Sequence, residues 1–193
     1  MAETPSTMVK LGTRMPEFEL PDVDGATYKS SDYEGTPLLV AFICNHCPFV
    51  KHVADVFAEK AREYRAQGVE VVAVSSNDVE AYPQDDVTHM KAFAAEHGFS
   101  FPYLYDETQD VARRYQAACT PDFFLFDADH NLVYRGQFDD SRPSNDVPVS
   151  GADLSEAVAR VARGETVPSD QKPSVGCNIK WKPGNEPPYF GIG

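Results

Sequence analysis

Two kinds of hydrophobic pattern alternate along the chain and predict an α/β fold. Residues 37–43 and 69–75 are short, nearly continuous apolar runs, typical of strands that are buried on both faces of a sheet. Residues 48–67 and 87–97 instead carry apolar side chains at helical spacing, and Gly68 follows the first of them where a helix would end. Right-handed crossovers between these elements would make the early strands parallel.

Antiparallel elements are predicted on either side of this central part. Residues 15–20 alternate apolar and polar positions before a turn at 22–25, and residues 26–29 predict the returning strand of a hairpin. Residues 122–126 and 131–136 predict a second hairpin. Weaker patterns predict three further elements, namely a strand at 101–105, a helix at 109–117 and a last helix from Asp153 to Gly164.

The length and composition predict one globular domain with a C-terminal extension. The chain has 193 residues, of which 42% are hydrophobic and 24% charged, which is ordinary for a soluble domain. We assign residues 1–164 to the domain, including its N-terminal hairpin. Residues 165–193 are rich in proline and glycine, and we expect an irregular tail that packs on the domain or extends from it.

The charge excludes some classes of partner. The net charge of −13 makes nucleic acids and anionic membranes unexpected partners.

No apolar run approaches the roughly 20 residues that a membrane-spanning helix needs. The first ten residues lack the basic end and apolar core of a secretory signal, so we expect a cytoplasmic location.

A Cys-x-x-Cys motif between strand and helix carries the candidate chemistry. Cys44 and Cys47 directly follow the apolar run that ends at Ile43, and Pro48 is tolerated in a first helical turn. In this position the pair is typical of a redox site rather than a zinc site. The unpaired N–H groups and positive dipole end of a helix favour a thiolate, which is the reactive form of cysteine.

Three stretches of the chain resemble the thioredoxin superfamily, in its AhpC/TSA-like branch between TlpA-type thioredoxins and peroxiredoxins. These are residues 15–20, 42–50 and 120–127, within a match over roughly residues 10–165. The resemblance implies a thioredoxin-like three-layer α/β fold with a central mixed sheet flanked by helices. It implies a thiol–disulfide oxidoreductase that needs no cofactor and acts on protein or small-molecule disulfides. A thioredoxin-type reductant is one candidate electron donor.

The resemblance also implies roles for individual residues. Cys44 would be the more exposed nucleophile at the helix start, and Cys47 would be the resolving thiol one turn further. Pro121 would follow a cis peptide bond from Thr120 and face the two cysteines. The backbone edge at this proline would then pair with an extended substrate.

The residues between the cysteines are predicted to tune the redox potential. Asn45 and His46 form the sequence Cys-Asn-His-Cys, similar to the Cys-Pro-His-Cys of strongly oxidising members of the superfamily. An imidazolium beside the second cysteine stabilises a thiolate and makes the pair more oxidising. We therefore expect a potential above the value of about −270 mV that is typical of thioredoxin.

Departures from the family patterns weaken a peroxidase assignment. Peroxiredoxins carry Thr or Ser three residues before the reactive cysteine, whereas Cys44 stands at that place before Cys47, and Ala41 before Cys44. The buried acid of thioredoxin has no match in residues 38–43. A thiol-dependent peroxidase with an antioxidant role remains an alternative, because the Cys-Pro pair at 47–48 is similar to that of peroxiredoxins.

Two further cysteines are candidate accessory thiols. Cys119 precedes Pro121 by two residues, so the implied fold would bring it near the redox pair. Thiolates of Cys44, Cys47 and Cys119 would suit Cu(I) or Zn(II), and a metallochaperone or sensor is the alternative from another class. The simpler interpretation is that Cys119 fills apolar space, and we assign no metal site. Cys177 is either a buried structural thiol or a third redox cysteine on a tail that folds over the site.

Overall fold

The computed structural model describes residues 3–191 of the chain. The strands in this part are β1 (Glu3–Pro5), β2 (Glu19–Pro21), β3 (Thr27–Lys29), β4 (Leu38–Phe42), β5 (Glu70–Ser75), β6 (Tyr103–Tyr105), β7 (Cys119–Thr120), β8 (Asp122–Phe126), β9 (Leu132–Tyr134) and β10 (Val175–Asn178). The α-helices are α1 (Pro48–Ala66), α2 (Val87–His97), α3 (Asp110–Tyr115) and α4 (Ala152–Ala162). In these described residues no helix has both the length and the apolar character to cross a bilayer.

A five-stranded mixed sheet forms the centre of the molecule. Its strand order is β6–β5–β4–β8–β9. β4, β5 and β6 run parallel, because helices connect them, while β8 and β9 are antiparallel to their neighbours. The predicted arrangement of parallel early strands and a later antiparallel hairpin is confirmed.

Both faces of this sheet are covered, which produces three layers. On β4, Leu39 and Ala41 face a core formed with α1, α2 and α4, whereas Leu38 and Val40 face a second core formed with α3 and the N-terminal segment. Every residue of β4 is at most 1% exposed. Burial on both faces explains why this strand is continuously apolar in the sequence. The predicted three-layer thioredoxin-like fold is confirmed.

The N-terminal hairpin is shorter than its sequence pattern. β2 and β3 pair antiparallel around the turn at 22–25, as predicted. Met15 and Phe18, which begin the alternating stretch, lie outside the strands and are buried in the second core. Their alternation therefore reflects burial of an irregular segment rather than a longer strand.

The C-terminal tail departs from the predicted irregular structure at one strand. β10 lies between β1 and β7 in a separate three-stranded sheet and is antiparallel to both. Its register places Cys177 opposite Thr120 on one side and opposite Glu3 on the other. This strand is short and depends on partners that are distant in sequence, so local pattern does not predict it.

Candidate active site

Strand pairing brings the Cys-x-x-Cys motif and the Thr-Pro pair together. β4 and β8 are antiparallel with Phe42 opposite Asp122, so the residues after β4 lie beside the residues before β8. Cys44 follows β4 by two positions, and Thr120 and Pro121 directly precede β8. The peptide bond between Thr120 and Pro121 is cis, as predicted.

The positions of the two cysteines differ from the prediction. α1 begins at Pro48 and Cys47 is its N-cap, so Cys47, rather than Cys44, lies at the helix N-terminus. Cys44 precedes the helix by four residues. Cys44 is 1% exposed and Cys47 is 0% exposed, so Cys44 is not the exposed residue that was predicted. The Cys-Pro step explains the late start, because proline is favoured in a first helical turn.

The cis-proline loop and the tail both contact the redox pair. The Sγ atom of Cys44 lies 3.6 Å from the Thr120 hydroxyl, and that of Cys47 lies 3.3 Å from the Thr120 carbonyl oxygen. The Sγ atoms of Cys47 and Cys177 are 2.8 Å apart. Cys177 itself is 2% exposed. Three thiols and one threonine therefore form a continuous buried cluster.

The environment places the first thiolate of this cluster on Cys47. Hydrogen bonds from the Cys177 and Cys44 thiols hold the pKa of Cys47 far below its ordinary value, against the opposing effect of burial. The pKa of Cys44 is raised, first by its hydrogen bond to Cys47, then by burial and by the charge of Asp85. Charge at Cys47 is also favoured by the positive end of α1.

A buried carboxylate missing from the sequence prediction lies beside the motif. Asp85 is fully buried in a short 3-10 helix at 83–85, which follows β5. Its Oδ1 accepts a 2.8 Å hydrogen bond from the Asn45 backbone N–H, and its Oδ2 lies 2.5 Å from His46 Nδ1 and 2.9 Å from Asn77 Nδ2. Burial opposes ionisation, but these hydrogen bonds outweigh it and lower the pKa of Asp85.

One sequence signal could have indicated an acid in this place. The carboxyl ends of the parallel strands β4 and β5 meet at the same edge of the sheet, so the loop after β5 faces the motif after β4. That loop contains four acidic residues, Asp78, Glu80, Asp85 and Asp86. Sequence offers no way to choose among them, whereas the fold places Asp85 beside the motif and uses Asp86 as the N-cap of α2.

Contacts with neighbouring residues hold Asn45 and His46, the two residues between the cysteines. The His46 ring stacks on Tyr82 with 5.4 Å between the ring centroids and 4° between the planes. The Asn45 side chain accepts a 2.8 Å hydrogen bond from the Tyr103 hydroxyl and donates one of 3.0 Å to the Gln84 carbonyl. These contacts hold both side chains in place, and their effect on the redox potential of the pair stays a prediction.

Cys119 is buried but points elsewhere. Its Sγ lies 3.6 Å from the Pro121 carbonyl oxygen and 3.9 Å from that of Ser174. Burial, and after it the charge of Asp122, raises the pKa of the Cys119 thiol. These contacts agree with the interpretation of Cys119 as a residue that fills buried space.

The three-thiolate metal site of the alternative prediction is not assembled. Across residues 3–191, the side chains whose donor atoms could hold a metal, all within 4.8 Å of one another, are Cys44, His46 and Asp85. That set offers one sulfur, one nitrogen and one oxygen atom, and its nitrogen and oxygen atoms already bond each other. Cys47 and Cys119 are not part of it, so the donor set for a soft metal is absent from this group.

A second buried carboxylate lies beneath the cis-proline loop. Asp122 is 0% exposed, and its Oδ2 accepts a 3.1 Å hydrogen bond from the Ala118 backbone N–H. Burial raises its pKa to about 7. Residues 38–43 carry no acid, and the buried acids near the motif, Asp85 and Asp122, come from two other places in the chain.

Comparison with known proteins supports the redox interpretation. Residues 11–135 match the model of the AhpC/TSA family, which covers more than half of the chain. The thiol-disulfide oxidoreductase ResA of Geobacillus kaustophilus is 30% identical over 124 residues, which are 64% of this chain and 67% of that protein.

Solved structures include one of nearly the same length. An uncharacterized conserved protein of Geobacillus kaustophilus is 50% identical, with a TM-score of 0.92 over 95% of this chain and 98% of that chain. A secreted disulfide oxidoreductase of Mycobacterium tuberculosis is 22% identical, with a TM-score of 0.58 over 74% of this chain and 94% of that chain. At 22% identity, the similarity to the Mycobacterium tuberculosis protein shows only that the two chains share a fold.

Proposed function

The chain belongs to the AhpC/TSA family and is a thiol–disulfide oxidoreductase, and we propose that Cys44 and Cys47 are the pair that performs the exchange. The observation that carries this proposal is their position in the fold. Both sulfurs contact Thr120 at the cis-proline loop, and Cys47 caps the N-terminus of α1. The family implies exchange with proteins that contain disulfides, and we propose that the pair exchanges with the thiol and disulfide forms of both proteins and small molecules.

The environment of Cys47 favours use of the pair as an oxidant. In thiol–disulfide exchange, the sulfur with the lower pKa leaves faster. When the pair is a disulfide, attack by a substrate thiolate on Cys44 therefore expels the stabilised Cys47 thiolate. This step forms the bond between substrate and Cys44 and breaks the Cys44–Cys47 bond. A second substrate thiolate then attacks the substrate sulfur and releases Cys44, leaving a substrate disulfide and a reduced pair.

The substrate must approach an edge that the chain itself occupies. The backbone at Thr120, predicted to pair with substrate, is paired with β10. A small groove is lined by Phe49, Pro121 and Phe138 together with Val175 at the start of β10, among others. We propose that substrates reach Cys44 from this groove or by replacing β10, and that Pro121 shapes the approach in either case.

Single cysteine variants test the roles of the pair. The oxidised protein is mixed with a reduced dithiol peptide, and peptide oxidation is followed by mass spectrometry. We expect no turnover in Cys44→Ser. Cys47→Ser is instead mixed with a peptide–glutathione disulfide, and the attack of Cys44 on the peptide sulfur should trap a peptide–Cys44 disulfide while glutathione leaves as a thiol. Cys119→Ala is the matched control and should retain turnover, since it removes an equally buried thiol outside the pair. Turnover in Cys44→Ser at the wild-type rate would overturn the proposal.

We also propose a thioredoxin-type reductant and a cytoplasmic location. Four cysteines in 193 residues are few for a disulfide-stapled secreted protein, which supports a reducing compartment. Rates of reduction of the oxidised protein by thioredoxin and by glutathione would test the electron donor. Cell fractionation with the native chain would test the location, and recovery in an extracytoplasmic fraction would contradict it.

A further inference from the structure

The C-terminal tail places a third cysteine on the redox pair. Cys177 lies 130 positions beyond Cys47 in the chain, yet their Sγ atoms are 2.8 Å apart. Both are buried, at 2% and 0% exposure. This is sulfur–sulfur contact without intervening atoms, and it involves the cysteine of the pair that caps α1.

The contact is held by an extended strand rather than by a loose chain end. β10 pairs antiparallel with β7, with Cys177 opposite Thr120, and with β1 on its other side. Beyond the strand, the Ile179 N–H donates to the Ala118 carbonyl at 3.1 Å and the Lys180 N–H donates to Asn77 Oδ1 at 2.9 Å. The sulfur of Cys177 is therefore positioned by backbone pairing on both sides.

A glycine makes the close approach possible. A Cβ atom on Gly176 would lie 1.9 Å from the Thr120 carbonyl oxygen, a distance at which backbone atoms must shift. Only glycine lets β10 lie this near the cis-proline loop. The neighbouring Cys177 is brought within reach of Cys47 by the same approach.

From these observations, and resting on the proposed function of the Cys44–Cys47 pair, we infer that Cys177 is a third redox-active residue that exchanges with Cys47. The Cys177 thiolate attacks the Cys47 sulfur of the Cys44–Cys47 disulfide. The bond between Cys44 and Cys47 breaks, a bond between Cys47 and Cys177 forms, and Cys44 leaves with the electron pair. The proton that Cys177 loses is balanced by the proton that Cys44 gains, so Cys177 is oxidised, Cys44 is reduced and no further reactant is needed.

The exchange has a structural consequence. A Cys47–Cys177 disulfide joins β10 covalently to the start of α1, and so keeps the tail on the Thr120 edge. It also returns Cys44 to the thiol form while the oxidising equivalent stays in the protein. The tail then acts as an internal counterpart of a substrate, because it occupies the edge and offers a thiol to the pair.

Disulfide mapping tests this inference on the full chain. The protein is oxidised with glutathione disulfide, quenched in acid, alkylated and digested with trypsin without reduction. Peptide 30–51 contains both Cys44 and Cys47, and peptide 164–180 contains Cys177. We expect these two peptides to be joined in more than about a tenth of wild-type molecules, which corresponds to an exchange constant above about 0.1.

A variant resolves which sulfur takes part. In Cys44→Ser, we expect Cys47 and Cys177 to form the linkage in nearly all oxidised molecules. The matched control is Cys119→Ala, which should leave the wild-type pattern of linkages unchanged. In Cys44→Ser, a Cys47–glutathione mixed disulfide with Cys177 still open to alkylation would overturn the inference, as would a wild-type map with Cys44–Cys47 alone.

The two proposals fail in different ways. If Cys44→Ser retains turnover after Cys177 is also replaced by alanine, the proposed roles of the pair fail and Cys177 has no part in that failure. If turnover depends on Cys44 and Cys47 but peptides 30–51 and 164–180 are never joined, only the role of Cys177 fails. The wild-type map needs no substitution, so a variant that does not fold leaves the test intact.

Discussion

At the scale of single residues, two buried carboxylates set the electrostatics around the thiols. Asp85 binds the backbone and side chain of the two residues between the cysteines, and its charge raises the pKa of Cys44. Asp122 lies below the cis-proline loop, where burial raises its own pKa to about 7. Burial opposes ionisation of both carboxyl groups. At Asp85 the hydrogen bonds from His46, Asn77 and the Asn45 backbone outweigh burial, whereas at the fully buried Asp122 burial outweighs the hydrogen bonds.

Removing the Asp85 charge should activate Cys44. In Asp85→Asn, we expect the pKa of Cys44 to fall, because a negative charge that opposes its thiolate is lost. Alkylation of Cys44 by iodoacetamide at pH 8 should become at least about threefold faster. The rate is measured by peptide mass spectrometry in a Cys47→Ala background. Asp86→Asn is the matched control, since it removes a neighbouring charge but keeps a side chain that can cap α2. An unchanged or slower rate in Asp85→Asn would contradict the assigned effect.

Asp122 should make stability fall as pH rises. Between about pH 4 and pH 7 the folded protein holds a proton on Asp122 that the unfolded chain has lost, so the free energy of unfolding decreases across this range and levels off above it. Asp122→Asn removes this pH-dependent part of the free energy of unfolding. From pH 5 to pH 8, the variant should gain up to about 3 kcal/mol relative to wild type.

Urea unfolding at the two pH values measures this difference. Asp129→Asn, in the exposed turn of the β8–β9 hairpin, is the control and should show no pH-dependent gain. A constant difference between Asp122→Asn and wild type at pH 5 and pH 8 would show that Asp122 titrates normally.

At the scale of elements, β10 is the strand that gives the site its unusual composition. It fills the edge beside the cis-proline loop and brings a third thiol to Cys47. The approach depends on the absence of a side chain at Gly176. The strand is therefore more sensitive to a single methyl group at this position than to changes in its other side chains.

Gly176→Ala should weaken the pairing of β10 with β7. The added Cβ would meet the Thr120 carbonyl oxygen, so the strand must move away and expose Cys177. We expect Cys177 in the reduced protein to react with a maleimide at least about tenfold faster than in wild type, because opening of the strand limits this reaction. Val175→Ala, in the same strand, is the control and should leave the rate within about threefold of wild type. Equal protection of Cys177 in Gly176→Ala and wild type would contradict the role of Gly176.

At the scale of the whole molecule, the redox state and the folding free energy are linked. The fold stabilises a thiolate on Cys47 through thiol hydrogen bonds and the end of α1. This stabilisation exists only while the pair is reduced. From His46 we expect a redox potential above that of thioredoxin. Such a potential also implies that the fold stabilises the reduced form, because a more oxidising pair is one whose reduced form the fold favours.

The reduced protein should therefore be the more stable form. We expect its free energy of unfolding to exceed that of the Cys44–Cys47 disulfide form by at least about 1.4 kcal/mol, equivalent to about 30 mV for a two-electron couple. Urea unfolding of both forms is measured in Cys177→Ser, where the disulfide is confined to the pair and a hydroxyl can still donate a hydrogen bond to Cys47. A redox titration against glutathione gives the potential independently. Greater stability of the oxidised form, or a potential at or below about −270 mV, would contradict the expected oxidising character.

Local patterns in the sequence predict the strands and helices of the central three layers, the family and the redox motif. Continuous apolar runs, helical spacing and the Cys-x-x-Cys and Thr-Pro pairs are local signals, so they can be read without knowing which strands pair. Burial of β4 on both faces and the cis bond at Pro121 agree with these local signals. Cys47 is the N-cap of α1, whereas the prediction placed it one turn into the helix. The difference arises because a sequence pattern locates the end of a helix only to within a few residues.

The surroundings of the two cysteines depend on contacts between distant parts of the chain. Asp85 reaches the motif because parallel strands end at one edge, and Asp86 would satisfy the same sequence pattern. Cys177 reaches Cys47 because β10 inserts between β1 and β7. Such contacts join residues far apart in the chain, and their energy comes from pairing and burial that no local window of sequence contains. The order of the cysteines' pKa values follows from these contacts and is therefore a property of the folded chain.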